Sequence, residues 1–131
     1  SDAGAHASQL CDACYSTHLL GHWVRERGTL TLEQAIHMLT QKPAQIFGIE
    51  GRGVLAEGAM ADIVIFDPAT IAAGTLQRVY DLPDGSDRLI SPASGIQSVI
   101  VNGKLLIDRN ATAPEIETAL PGKLLRSGLA A

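Results

Sequence analysis

Four side chains that could bind a metal or carry redox chemistry lie close together in this 131-residue sequence: Cys11, Cys14, His18 and His22. At about 100° per residue a helix would place all four on one face, but at about 1.5 Å per residue they spread over about 16 Å of axis. Zinc holds nitrogen and sulfur ligands at about 2.0–2.3 Å, so the four cannot share one ion. His18 and His22 could share a metal only with further ligands from elsewhere. The plainer reading is a half-buried helix face carrying two free thiols. A redox role for Cys11 and Cys14 would need a preceding strand and a βαβ context, which this part of the sequence lacks. No metal ligand is assigned.

A second constellation is Asp2 and His6, an acid and an imidazole four residues apart among the small residues Ser1, Ala3, Gly4 and Ala5. Small residues allow a substrate to approach the backbone. An Asp beside an activated water can move a proton to a leaving nitrogen. Taken by residue type alone, the segment also reads as an N-terminal tail. The third constellation runs over residues 52–67, where Gly53 and Gly58 precede the apolar run Ile63, Val64, Ile65 and Phe66. Asp62 stands where it can accept from nearby backbone N–H groups, and the plain reading of this segment is structural.

The elements that must position these residues follow from local signals. Residues 8–27 contain no Pro and one Gly, which predicts a helix ended by Gly28 in the left-handed cap position. Thr31 and Gln34 have the spacing of a capping box and open a second helix with Leu32, Ala35, Ile36 and Leu39 as its buried stripe. Pro43 suits the first turn of a third, short helix closed by Gly48. Residues 62–67 predict a buried strand ended by Pro68. Asn102-Gly103 between residues 96–101 and 104–108 predicts a hairpin with a type I′ turn. Residues 68–95, rich in Pro, Gly, Ser and Asp, predict a long excursion, and residues 120–125 one short amphipathic turn. Helices before about residue 48 and strands after it predict an α+β class, or pieces of two domains.

Composition bounds the function. Hydrophobic residues make up 46% and charged residues 18%, which fits one compact domain or two small ones. A complete (β/α)8 barrel needs about 250 residues and is excluded. The net charge of −4 and the absence of a basic run argue against nucleic acid as a partner. No apolar run approaches the roughly 18–20 residues of a membrane span, so no membrane partner is expected. Two cysteines and no secretory signal make the cytoplasm the expected compartment. The first residue is Ser, not Met, and with the short length this points to truncation.

Three segments together resemble the C-terminal part of the amidohydrolase superfamily. Thr40, Pro43, Ala44 and Gly48 match its T-x-x-P-A-x-x-x-G pattern. Gly53, Leu55, Gly58, Ala61, Asp62, Val64 and Asp67 match G-x-L-x-x-G-x-x-A-D-x-V-x-x-D. Val99, Val101, Asn102 and Gly103 match V-x-V-N-G. The segment around Asp2, the helix through Trp23 and Arg25, and the ending from Leu120 to Arg126 look most like the N-acyl-D-amino-acid deacylase branch.

The resemblance implies residues 1–47 as the last loop and helices of a metal-dependent hydrolase TIM barrel. Residues 48–131 would then be the C-terminal share of a small β-sandwich. It implies Asp2 as the catalytic acid and base, and His6 as a contact to the substrate carboxylate. The parent would use zinc to hydrolyse a small-molecule amide, releasing a D-amino acid and a carboxylate. The family's His-x-His and bridging ligand have no counterpart here, so this chain alone is expected to bind no zinc and to be inactive. Two alternatives stay open: a dihydroorotase-like or hydantoinase-like cyclic amidase, and a non-catalytic β module that self-associates as a homo-oligomer.

Overall fold

The computed structural model describes residues 3, 10–109, 111–113 and 120–125. It contains helices and strands in an α+β arrangement, gathered into two compact units. The first unit joins the described residues up to Leu30 with Pro68–Gly95. The second joins Thr31–Asp67 with the described residues from Ile96 onward.

In the first unit, helix α1 (Tyr15–His18) runs directly into a π-helix over Leu19–Glu26. The helix expected over residues 8–27 is therefore shorter at its start. Residues 10–12 are irregular, Tyr15 N donates to Asp12 O at 3.0 Å in a turn, and Cys14 caps the helix without a side-chain bond. Residues 8 and 9 lie outside the described residues. Cys11 thus precedes the helix, and only Cys14, His18 and His22 follow its path. The end is as expected: Gly28 adopts φ 59°, a conformation that costs a side-chain-bearing residue about 1–2 kcal/mol.

The excursion at residues 68–95 carries order that the sequence reading missed. Strand β2 (Ala72–Ala73) pairs antiparallel with β5 (Ala93–Ser94), and β3 (Gln77–Val79) with β4 (Arg88–Ile90). The two pairs nest into one arm, turned by a 3₁₀ segment at Pro83–Gly85. These strands are two or three residues long, too short to show the period-2 alternation that marks a strand. Ile71 is the largest fully buried side chain described, and its unit also buries Thr17, Leu20 and Gly21. The Thr17 hydroxyl donates to Cys14 O at 3.0 Å, so this buried polar group is satisfied. A Cβ on Gly21 would lie 2.8 Å from Ile71 O and 3.1 Å from Ala72 Cα. The absent side chain is what lets the π-helix lie against the base of the arm, where Arg25 also donates to Ile71 O.

The second unit opens with α2 (Leu32–Leu39). Its capping box forms as the spacing requires: Thr31 Oγ1 accepts from Gln34 N, and the Gln34 side chain accepts from Thr31 N. Helix α3 (Gln41–Ile46) contains Pro43 in its first turn and ends before Gly48 at φ 62°. The sheet has the order β1-β6-β7-β8, all antiparallel, from β1 (Ile63–Phe66), β6 (Ile96–Val101), β7 (Lys104–Asp108) and β8 (Ala111–Thr112). Asn102 and Gly103 take φ 48° and 78° and close the β6–β7 hairpin as expected. Two expectations fail in this unit. Val64 and Ile65 are 53% and 45% exposed, so β1 is not a buried strand. Successive residues point to opposite faces, so neither face of β1 is fully covered at these positions by described residues. Residues 120–125 form no helical turn, and Leu120 and Leu124 are exposed.

Candidate functional site

The two residues that the resemblance marks for chemistry, Asp2 and His6, lie outside the described residues. Among the described residues, no group of three or more His, Cys, Asp or Glu side chains is assembled to hold a metal ion. Cys11 and Cys14 are free thiols, and the Cys14 sulfur lies 3.9 Å from Cys11 O.

The helix of the first unit does organise part of the His face. His18 and His22 stack with ring centroids 5.0 Å apart and planes at 18°. His22 Nδ1 lies 2.9 Å from Glu26 Oε2, one further turn along the helix. The hydrogen bond from His22, joined by electrostatic attraction to His22 and Arg25, outweighs desolvation and holds the Glu26 carboxyl below the ordinary carboxylate range. The edge of Trp23 meets the His22 ring at 5.2 Å.

In the second unit the motif residues build a clasp. The Arg52 side chain is only 10% exposed. Its guanidinium donates to Asp62 Oδ2, and its Nη2 donates to Asn102 Oδ1 at 2.6 Å. Asn102 N donates to Asp62 Oδ1 at 2.8 Å, and Asn102 Nδ2 to Pro121 O at 2.6 Å. Gly103 N adds a bond to Ala61 O at 2.9 Å. Asp62 therefore does accept from backbone, as its position suggested, but from a residue forty positions away. Burial would raise the Asp62 carboxyl; the Asn102 N–H and the Arg52 guanidinium outweigh it and hold the group below its ordinary value. Arg52 is the partner that sequence reasoning missed. A charged residue between Gly51 and Gly53 was the available signal. Its Nε is buried without an acceptor among the described residues.

What this arrangement does is hold backbone. The clasp ties the segment before β1 to the β6–β7 turn and to Pro121, fixing the pairing of β1 with β6 at one end. The G-x-L-x-x-G-x-x-A-D and V-x-V-N-G patterns are thus two halves of one structural contact.

Comparison with known proteins gives the chain its relatives. The Amidohydrolase family model matches residues 1–107. An N-acyl-D-glutamate deacylase from Alcaligenes xylosoxydans xylosoxydans is 38% identical over 110 residues, covering 84% of this chain and 20% of the relative. A crystal structure of D-aminoacylase superposes with a TM-score of 0.61 at 34% identity, covering 76% of this chain and 19% of that one. An N-acyl-D-glutamate deacylase from Bordetella bronchiseptica, solved with zinc and a phosphonate inhibitor, gives 0.51 at 42% identity, over 69% of this chain and 17% of that one. A dihydroorotase from Lactobacillus johnsonii is 50% identical, but over 56 residues, 43% of this chain and 13% of the relative. The chain thus spans about a fifth of the deacylases it matches. With the family match covering most of its length, the chain belongs to the amidohydrolase family.

Proposed function

We propose that this chain is the C-terminal part of a metal-dependent amidohydrolase that converts N-acyl-D-amino acids to the D-amino acid and a carboxylate. The observation that carries the reading is the 38% identity to an N-acyl-D-glutamate deacylase across 84% of the chain. In this reading residues 1–47 are the last loop and helices of the barrel, and residues 48–131 the C-terminal share of the β-sandwich.

Asp2 is the proton-handling residue. It takes a proton from the water whose oxygen attacks the acyl carbon, and returns it to the amine nitrogen as the C–N bond breaks. His6 contacts the substrate carboxylate. The family's catalytic metal centre does not fit the residues present. The four histidines, His6, His18, His22 and His37, include no His-x-His pair, and the described side chains gather no set of three ligands. No catalytic step is therefore assigned to a metal held by this chain. Turnover belongs to the longer polypeptide, and this chain alone is inactive.

The 131-residue chain, supplied with zinc and N-acetyl-D-amino acids, should give no turnover. Activity that Asp2→Ala abolishes would overturn the reading of an inactive fragment. In a family-length polypeptide carrying this chain, Asp2→Asn should lower kcat by about 10²–10⁴, with little change in KM. The reading frame preceding Ser1 should encode His-x-His, and its absence there would sink the enzyme assignment.

The cyclic-amidase alternative draws on the dihydroorotase match, and ring-opening of a cyclic amide without action on N-acyl-D-amino acids would establish it. Self-association as a homo-oligomer draws on β1, whose exposed Val64 and Ile65 lie on a strand bonded only to β6 among the described residues. Scattering in solution from a compact monomer would remove that reading.

A further inference from the structure

We propose that His18 and His22 form a two-imidazole binding site for a divalent transition metal on the exposed face of the helix, with Glu26 as the carboxylate that orients His22. Four ligands spread along a helix cannot meet one ion, but two residues four apart can. The site uses two protein nitrogens, and the further ligands that the ion needs come from water.

Three observations place the pair for this role. First, the rings are already together: their centroids are 5.0 Å apart and nearly parallel. In an α-helix, residues four apart are separated by about 6 Å of axial rise. Here the bonding widens to the π pattern from Leu19 onward, a local feature often found at binding sites. Imidazole lone pairs lie in the ring plane and nitrogen ligands sit about 2.0–2.1 Å from zinc, so binding requires the two side chains to rotate out of their stack until one nitrogen of each points at a shared ion.

Second, the tautomer of His22 is set. An ionised Glu26 accepts from His22 Nδ1 at 2.9 Å, which places the imidazole proton on Nδ1 and leaves the Nε2 lone pair for an ion. A carboxylate behind a ligating imidazole is the usual outer partner of such ligands, and it raises the basicity of the ring. Third, the pair is accessible. His18 is exposed and the His22 side chain is 36% exposed. Imidazole nitrogen favours Cu²⁺, Ni²⁺ and Zn²⁺ over Mg²⁺ and Ca²⁺.

Trp23, the only tryptophan in the sequence, touches the His22 ring at 5.2 Å and reports on the site. Ni²⁺ titrated into the purified 131-residue chain should quench Trp23 fluorescence with one-to-one stoichiometry. Zn²⁺ should reverse the quenching by displacement, and Mg²⁺ should not. His18→Asn and His22→Asn should each weaken Ni²⁺ binding at least about tenfold, and Glu26→Gln by a smaller factor. His37→Asn and the Cys11→Ser/Cys14→Ser double variant should bind as the parent does. Circular dichroism of each variant separates lost binding from lost helix. Undiminished binding by folded His18→Asn, or loss of binding in the double cysteine variant, would overturn the two-imidazole site.

Discussion

The arm at residues 68–95 and the clasp around Asp62 hold backbone segments together by different means. In the arm, close steric contacts at glycines accompany the strand pairing and the hydroxyl bonds of Ser91 to Gly74 O and Ser94 to Thr70 O. A Cβ on Gly95 would sit 2.5 Å from Ile71 N, and one on Gly74 would sit 2.6 Å from Pro92 O. In the clasp the contacts are polar, made by one nearly buried guanidinium, one carboxylate and the N–H of a turn residue. The arm also carries ion pairs, Arg88 with Asp81 and Arg78 with Asp87, but Arg88, Asp81 and Arg78 are exposed and Asp87 is only half-buried. Close packing tolerates no added atom, whereas a polar contact can be weakened by degrees, by mutation or by pH.

The largest effect should come from the arm. Gly95→Val places a branched side chain at φ 79° and against the backbone of Ile71, and should cost about 3 kcal/mol or more. Hydrogen exchange should show Ala72, Ala73 and Ala93 losing protection; unchanged protection would mean the approach to Ile71 is not tight. Next comes the clasp. Asp62→Ala leaves the Arg52 guanidinium without its anion and should cost about 2 kcal/mol by denaturant titration, the partial exposure of Asp62 moderating the loss.

The clasp should also respond to acid, and the arm's glycine contacts should not. Because the folded state lowers the Asp62 pKa, the group adds stability above its unfolded value. That stability is lost as pH falls through the depressed folded value. Asp62→Asn should flatten this acid limb of the stability curve, and an unchanged limb would assign the acid sensitivity elsewhere.

Smaller still is the cap. Thr31→Ala removes one half of the capping box and should cost about 1 kcal/mol. Smallest is Arg88→Ala. Its bidentate contact to Asp81 has ideal distances of 2.7 Å, yet it is exposed and screened, so Tm should not move measurably. A clear drop in Tm would show that the arm depends on charge as well as on packing.

What was legible in the sequence was whatever one short segment decides. Thr31 and Gln34 close a capping box with each other, and Asn102-Gly103 supplies two positive φ values to one turn. Gly28 and Gly48 end helices because they lie next to them. The extent of the first helix was misjudged, since nothing local marks the change at Tyr15 or the wider bonding from Leu19. β1 was read as buried because four apolar residues in a row resemble a covered strand. Whether a strand is covered depends on other layers, which its own residues do not encode.

The same division runs through function. Family membership was written in the order and spacing of the glycines, Asp62 and the V-x-V-N-G turn, and the missing His-x-His was equally plain. By itself the sequence thus determined which family this is, which helices are capped and where the hairpin turns. Only the tertiary structure decided that Arg52 joins the two motifs and that short strands nest into an arm. Each of these depends on distances between groups that chain connectivity leaves open. Caps and turns close over three or four residues, whereas such contacts form only when packing brings distant backbone within reach.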